Sequence, residues 1–550
     1  MTATRRHGMP SPLPLSGRWL ATLVIAFLLP GLIGHDPWKS EDAISFGVVY
    51  GLLDHGTWLT PSLAGEPWLR DGPLYYWMAA LCAKALHMLV PVHDGARVAS
   101  LVSIAAALYF TRMCGRELYG KRAGDLACLT LLGCGGLVLQ SRACAPETLA
   151  LAAVAAFCHG VAIAWKKPVK GGIVLGIGLA VAFLASGVHA VLPPLIALLA
   201  LLPFARLRRS QAFLRAACTG LGIALVLSLP WLVALALVAP DYLHDWVQAQ
   251  SAVATAMPQA SPTLDHLRTI AWATWPAWPL ALWVTWNNRR QLNDIGGMVP
   301  LAIALVSIVL LVLNPAPRPI DLLTLLAPLS IPAGLAALQL RRGAANALAW
   351  FSAMTFSLLI GLLWVVWIAT STGVPADLAS AATRLEPGYA HAVSPMAALL
   401  ALVATGIWIG LLRRTRQTPL REIPLWTGAV TITAAVVLLL GVGWIDYGKS
   451  YRLVAESLRD HLPAQTRCID ALGLGEVQRA MFHYHGGFVT RARSAQALAT
   501  ETAEADDMTC NALLIQRYAD DPEIELAPSW RITWEASRPR DRERFRLYSR

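Results

Sequence analysis

The sequence predicts an α-helical polytopic membrane protein with about thirteen transmembrane helices and a small α/β domain at its C-terminal end. Three observations predict it. The chain of 550 residues is 56% hydrophobic and only 14% charged, with a mean hydropathy of +0.51, a balance that excludes a single soluble domain. Apolar runs suited to a bilayer core, which takes about 20 residues per helix, recur from residue 18 to residue 443. Beyond residue 444 the chain turns into a mixed, charged tail. The net charge of +11 does not point to nucleic acid, because the basic residues form short clusters between apolar runs rather than one patch.

The N-terminus carries Arg5, Arg6 and Arg18 around the start of "WLATLVIAFLLPGLIG". No small-residue cleavage site follows, so a retained first helix over 18–34 is expected rather than a signal peptide. Further spans are expected at 97–115, 123–140, 147–165, 171–185, 187–204, 216–239, 273–286, 298–313, 320–340, 345–370, 395–412 and 424–443. The Lys/Arg clusters at 115–122, 165–170, 204–215, 287–291, 341–343 and 413–421 all fall on the cytoplasmic side if the chain starts inside and alternates. That alternation requires "PLYYWMAALCAKALHMLV" (73–90) to be a reentrant or surface segment, and 171–204 to be a hairpin turning at Ser186-Gly187. The external regions are then 35–95, about 140–147, 240–272 and everything after 444. Trp38, Trp58, Trp68, Trp272, Trp275 and Trp278 flank them as an interfacial belt would.

The expected division is a membrane domain over 1–443, including a first external loop with juxtamembrane helices at 35–95, and an external α/β domain over 444–550. In the tail, 449–462 and 476–485 have helical spacing, whereas "TRCIDAL", "CNALLIQ", "WRITWEA" and "RFRLYSR" read as strands. Seven of the nine cysteines lie in apolar sequence and read as small core residues. The other two, Cys468 and Cys510, are suited to a disulfide if the tail lies outside the cytoplasm.

The adjacent acids Glu41 and Asp42 follow the first span. Ser40 is a good N-cap, and acids in a first helical turn favour the helix dipole. Phe46, Val49, Tyr50 and Leu53 then form an apolar stripe suited to lying on a membrane. The same loop returns Arg70 and Asp71 beside a Gly-Pro turn. At the next external helix end, "SRACAPETLA" holds Arg142 and Glu147, and "NPAPRPID" holds Arg318. Acids and arginines at one membrane face suit chemistry on a lipid-linked phosphate. Arginine holds phosphate by paired hydrogen bonds, and a carboxylate orients or deprotonates an acceptor.

The acidic pair, then "G-x-W-x-x-P-x-x-x-G-E-P-x-L" (56–69), then "GPLYYW" (72–77), resembles the lipid A aminoarabinose transferases and protein O-mannosyltransferases. These are integral-membrane glycosyltransferases of the GT-C type. The resemblance is most specific over 36–78 and weaker through 141–147, 183–195, 229–235 and 317–330. It implies a polyprenyl-phosphate-linked sugar donor, inverting transfer to a lipid A, glycan or protein acceptor, and a site at the periplasmic face of the bacterial inner membrane. It puts Glu41 at the family's catalytic aspartate, Asp42 at the following glutamate and Glu147 near a second acid. Arg70, Asp71, Tyr75, Tyr76, Arg142 and Arg318 fall in the donor-binding stretches. The chain departs from the family in its Glu-Asp order, in Asp71 where a phosphate-binding lysine is usual, and in Ser186-Gly187 where Lys-Gly is usual. Arg70 and Arg318 are the cations left for the phosphate.

No metal-ligand signature is present. His35, Asp36, Asp54 and His55 have no recognised spacing, and His483 and His485 of "HYH" read as surface residues. No cofactor is required by the pattern, although a divalent cation is compatible with the acids. His189 reads as a packed polar residue of the bundle. The rival readings are a transporter or flippase of lipid-linked sugars and a non-catalytic envelope assembly protein on the same fold. The first lacks the paired repeats transporters often show, and the second draws on the departures above.

Overall fold

The computed structural model describes the chain except residues 1–16, 202–209, 256–262, 290–294, 315–317, 386, 390–393, 416–418, 464–465, 467, 494–509, 519–520, 522–525, 527–529, 540 and 550. Arg5, Arg6 and the first half of the basic stretch at 204–215 lie outside the described residues, as do parts of the stretches at 287–291 and 413–421.

Helices dominate in the expected places. The first ones are α1 (Gly17–Leu28), α2 (Glu41–His55), α3 (Leu74–Leu86), α4 (Val92–Tyr119), α5 (Lys121–Leu132), α6 (Gly135–Gln140), α7 (Pro146–Ala164) and α8 (Pro168–Leu201). Long helices follow at Gln211–Val238, Arg342–Thr372, Pro395–Thr415 and Glu422–Lys449. Among the described residues, eight helices are long and apolar enough to cross a membrane. The remaining expected spans are shorter or interrupted. The run 123–140 breaks after Leu132, where Gly133 closes α5 with its backbone N–H on the Leu129 carbonyl and packs against the Trp426 ring. At 1.5 Å per residue, the 13-residue α3 rises about 20 Å and falls short of a bilayer core of about 30 Å.

The break at Ser186-Gly187 is real. Ser186 (φ −130°, ψ 23°) and Gly187 (φ 64°, ψ −147°) leave helical geometry inside α8. Ala182 and Ala190, on either side, meet Ala150 and Ala153 of α7 in one apolar cluster. Leu175 and Leu179 share another cluster with Ala197 and Leu198, which a straight helix would hold about 30 Å apart. Only a glycine fits the turn. The positive φ favours it, and a Cβ on Gly187 would lie 2.3 Å from the Gln250 amide oxygen.

After the short hairpin β1 (Ser62–Leu63) and β2 (Glu66–Pro67), the tail folds as five strands, β3 (Ile469–Leu472), β4 (Thr490–Ala492), β5 (Ala512–Tyr518), β6 (Arg531–Ser537) and β7 (Glu543–Ser549), paired in the order β4-β3-β5-β7-β6. Ile469–Leu472 runs parallel to both of its neighbours, and the last three strands are antiparallel. A disulfide joins Cys468 to Cys510, next to the paired strands Ile469–Leu472 and Ala512–Tyr518.

The sheet does not stand apart from the helices. One hydrophobic cluster contains Phe46, Val49 and Leu52 of α2, Tyr75 and Tyr76 of α3, Val454 and Leu458 of the helix Arg452–His461, and Phe482, Leu514 and Phe545 of the tail. Helix α2 is therefore buried all round, not laid on a membrane surface as its apolar stripe suggested. Small residues on its other faces admit neighbours. A Cβ on Gly47 would meet Ala480 at 2.4 Å, and one on Gly51 would meet the Ser62 carbonyl at 2.5 Å. Ser40 makes no capping hydrogen bond. Asp42 instead accepts from the Trp38 backbone N–H at 3.0 Å, which fixes the chain just before the helix.

The loop before α3 is seated against the α8 turn. Gly72 donates to the Ala185 carbonyl at 3.2 Å, and a Cβ on Gly72 would lie 2.2 Å from the Leu184 carbonyl oxygen. Gly72→Ala is expected to destabilise the fold by about 1–3 kcal/mol, since backbone on both sides must shift. Gly222→Ala, with nothing within 4 Å, is the matched control and should leave stability unchanged or slightly raised. Thermal unfolding of both variants in detergent measures the difference.

Candidate active site

Glu41 stands at the N-terminal end of α2, and Glu147 at that of α7, just after Pro146. Both helix ends favour a carboxylate through their unpaired backbone N–H groups. A third acid, Asp321, lies in the 3-10 turn Pro319–Leu322, where it accepts from the Arg318 backbone N–H at 3.0 Å.

Arg318 ties the three together. Its Nη1 donates to Glu41 Oε2 at 3.2 Å, and its Nη2 donates to Glu147 Oε1 at 2.9 Å and to Asp321 Oδ1 at 2.6 Å. Arg70 reaches Glu41 from the other side, with Nη2 donating to the same Oε2 at 2.9 Å. Two guanidiniums thus converge on one oxygen of one half-buried carboxylate, and Oε1 takes part in neither bond. Burial works against the charge on Arg318, but Glu147 and Asp321 outweigh it and raise its pKa. Burial likewise opposes the Arg70 charge, and Asp71 and Glu41 outweigh burial there. His189 Nε2 stands 3.7 Å from Asp321 Oδ1, at the edge of the group.

The loop that carries Arg70 is fastened from several directions. Asp71 Oδ2 accepts from the Tyr76 hydroxyl at 2.9 Å and the Trp68 indole at 3.1 Å. The Arg70 guanidinium lies over the Trp68 ring, 4.4 Å from its centroid. From the helix Pro240–Thr255, Trp246 donates to the Asp71 carbonyl at 3.1 Å, Tyr242 to the Trp68 carbonyl at 2.5 Å, and Gln250 to the Leu69 and Arg70 carbonyls at 3.0 and 2.9 Å. Trp68 is 5% exposed, so it is an interior anchor and not part of an interfacial belt.

Four sequence-derived site residues, Glu41, Glu147, Arg70 and Arg318, come together, with Asp71 beside them through Arg70 Nε at 3.6 Å. Tyr76 touches the group through Asp71. Tyr75 does not: its hydroxyl donates or accepts at Ser100 Oγ, 2.6 Å away, and accepts from the Ala145 N–H at 2.8 Å. Arg142 is also elsewhere, donating to the carbonyls of Pro30, Phe27 and Val138 and so closing the C-terminal end of α1.

Asp42 points away from Glu41, as successive helical residues must, about 100° apart. It is 6% exposed and meets Arg97 Nη2 at 2.8 Å and the Cys144 N–H at 2.7 Å. Burial alone would raise its pKa, but Arg97 prevails and holds it below the ordinary value of 3.8. Arg97 is fully buried and also donates to Asp94 at 2.7 Å and to the carbonyls of His35 and Asp36, both at 2.9 Å. Sequence reasoning missed Arg97, Asp321 and Gln250. Only Asp321 left a signal, three residues after Arg318.

His483 is 4% exposed and not a surface residue. Its Nε2 lies 3.0 Å from Asp54 Oδ2 at the far end of α2.

Comparison with known proteins agrees with this architecture. A family model described as dolichyl-phosphate-mannose-protein mannosyltransferase matches residues 70–234. An undecaprenyl phosphate-alpha-4-amino-4-deoxy-L-arabinose arabinosyl transferase from Sodalis glossinidius is 26% identical over 292 residues, 50% of this chain and 51% of the relative. Its counterpart from Pseudomonas aeruginosa is 26% identical over 278 residues, 48% of this chain and 50% of the relative. The match thus spans about half the length of these curated relatives. The crystal structure of ArnT from Cupriavidus metallidurans bound to undecaprenyl phosphate superposes with a TM-score of 0.71 at 12% identity, covering 96% of this chain and 97% of that one. The apo form gives 0.69 at 13% identity, covering 96% and 98%. The chain is a multi-pass membrane protein with the GT-C fold of that transferase.

Arg97→Leu leaves the buried Asp42 carboxylate without its partner and is expected to cost about 3–5 kcal/mol of stability, read by thermal unfolding. The Asp42 pKa is lowered by folding, so its stabilisation is fully present above pH 3.8 and is lost as pH falls through the folded value. Asp42→Asn should therefore leave the pH dependence of unfolding between pH 5 and 9 unchanged and flatten it only below about pH 4.

Proposed function

We propose that this chain is a membrane glycosyltransferase that moves a sugar from a polyprenyl-phosphate-linked donor onto an acceptor at the periplasmic face of the bacterial inner membrane. The observation that carries the reading is the Glu41 carboxylate held through one oxygen by Arg70 and Arg318, on the fold of a transferase solved with undecaprenyl phosphate. The acceptor is a lipid A, glycan or protein hydroxyl or amine. The N-terminus is cytoplasmic and the tail periplasmic. The Lys/Arg clusters support that orientation, and the Cys468–Cys510 disulfide suits an oxidising compartment. Residues 1–443 form the catalytic membrane domain and 444–550 the periplasmic domain.

In the reaction, the acceptor's lone pair forms a bond to the anomeric carbon on the face opposite the phosphate. The bond from that carbon to the phosphate oxygen breaks, and its electron pair leaves on the polyprenyl monophosphate. The acceptor proton passes to Glu41 Oε1. Arg70 and Arg318 neutralise the charge gathering on the departing phosphate. A phosphate that draws the arginines to itself also loosens their hold on Glu41 Oε2, which makes the carboxylate a better base as the donor arrives. Glu147 and Asp321 keep Arg318 in place. No step requires a metal ion.

The test is transfer of label from a radiolabelled polyprenyl-phosphate-sugar extract to envelope acceptors, in membranes of a deletion strain expressing wild type or Glu41→Gln. Label on an acceptor with wild type, reduced by about 10²–10⁴ in the variant, supports a transferase. Arg318→Lys, which keeps the charge but loses the forked geometry, should lower transfer by about 10²–10³. Equal labelling by wild type and Glu41→Gln, with both proteins folded and abundant, would sink the catalytic assignment.

A further inference from the structure

The far end of α2 carries a cluster that the reaction does not use. Asp54 and His55 occupy the last turn of the helix, immediately before Gly56, whose left-handed conformation (φ 69°) ends it. His483 comes from a different part of the chain, the π-helical turn Phe482–Gly486 of the tail. Its Nε2 lies 3.0 Å from Asp54 Oδ2, and His55 Nδ1 lies 3.3 Å from the same oxygen. The two imidazoles stack with centroids 5.3 Å apart and planes 29° from parallel. All three donor atoms lie within 4.8 Å of one another.

We propose that Asp54, His55 and His483 form a binding site for a zinc-like divalent ion that clasps the C-terminal end of α2 to the tail domain. Two imidazole nitrogens and one carboxylate oxygen are a donor set that suits zinc, whereas magnesium and calcium favour oxygen throughout. Bonds of about 2.1 Å in a tetrahedral site put neighbouring ligand atoms roughly 3.4 Å apart. The 3.0 and 3.3 Å separations already match two of those edges, and the two imidazole donors, within 4.8 Å of one another, would be drawn together by the ion.

The surroundings favour the ion as well. The helix C-terminus presents partial negative charge to a cation. The side chains of Asp54 and His55 are 43% and 35% exposed, which gives entry and leaves the fourth position to water. The third ligand is rigid. His483 is buried, its ring packed edge-on against Tyr50 at 4.9 Å, and its Nδ1 has no hydrogen-bond partner among the described residues. Hydrogen bonding between Asp54 and His483 alone would explain that pair but not why a second imidazole is stacked with its nitrogen toward the same oxygen. The ion would join segments more than 400 residues apart in the chain, acting as a cross-link between helix and tail. The site stands independently of the transferase reading.

The experiment uses the tag-free full-length chain in detergent, stripped with chelator and dialysed against Zn²⁺, with bound metal counted by mass spectrometry and unfolding followed by heat. Wild type is expected to retain about one Zn²⁺ per chain, and its unfolding midpoint should rise with zinc concentration. His55→Asn and Asp54→Asn, both at exposed positions, should lose the bound ion and the zinc-dependent rise while keeping the metal-free midpoint of wild type. Mg²⁺ or Ca²⁺ alone should produce no rise. Wild type without stoichiometric zinc, or variants that bind it as wild type does, would overturn the site. An equal response to Mg²⁺ would overturn the assigned ion class.

Discussion

The buried ion pair between Asp42 and Arg97 is the constraint on which the site depends. A guanidinium with no solvent exposure must be paired to be tolerated, and both terminal nitrogens of Arg97 are: two carboxylates and two backbone carbonyls accept from them. Those partners come from the chain before α2, from α2 and from α4. Satisfying one charge therefore fixes where α2 begins and how it is rotated. Once Asp42 is turned inward to Arg97 and the Cys144 N–H, Glu41 has to emerge about 100° around the helix, toward Arg70 and Arg318. The pair determines which acid is presented to the two arginines.

The balance of charge at the site also has consequences. Around Arg70 and Arg318 stand the carboxylates of Glu41, Asp71, Glu147 and Asp321, with Glu476 of the tail at 3.8 Å from Arg70. The arginines are occupied by these acids, so the donor phosphate of the proposed reaction must compete for them. The competition is uneven. Asp71 is already stabilised by the Tyr76 hydroxyl and the Trp68 indole, and Asp321 by the Arg318 backbone N–H, so neither depends wholly on a guanidinium. Glu41 and Glu147 have no such substitute among the described residues, and only Glu41 is held by both arginines. It is the carboxylate that a phosphate drawing both guanidiniums would change from two sides. That suits the base of the proposed reaction, whose proton affinity has to rise as the donor arrives.

Much of this architecture was legible in the sequence, because apolar length reports directly on helices able to cross a membrane. The turn at Ser186-Gly187, the helices of the tail and its four longer strands follow from periodicity and from where glycine sits. The site was legible to the extent that resemblance identifies helix ends: Glu41, Glu147, Arg70 and Arg318 meet although they are scattered over 277 residues. What failed depended on partners distant in sequence. Arg97 sits inside an expected span, and nothing near it announces a partner 55 residues earlier. Arg142 lies four residues from the α7 helix end yet serves the carbonyls of α1. The stripe Phe46, Val49, Tyr50 and Leu53 was a true helical pattern, but it gave no weight to Gly47 and Gly51. Their missing side chains let the tail and the β-hairpin pack against the opposite faces.

Burial of α2 on all sides also bears on how the tail relates to the site. The 15-residue helix is about 22 Å long, with Glu41 at one end and Asp54 and His55 at the other. Along its length it packs on the tail at Gly47, against Ala480, and its aromatic residues Phe46 and Tyr50 meet the Tyr484 ring at 4.7 and 5.1 Å. Contacts continue before its N-terminus, where Lys39 pairs with Glu543 at 2.6 Å and Asp36 pairs with Arg452. Arg70 itself stands 3.8 Å from Glu476. A close-packed helix of this kind moves as a rod, because interiors at crystal-like density transmit displacement instead of absorbing it. The tail is thus a structural wall of the candidate site: a shift in its seat on α2 is delivered to Glu41 at the other end of the same rod.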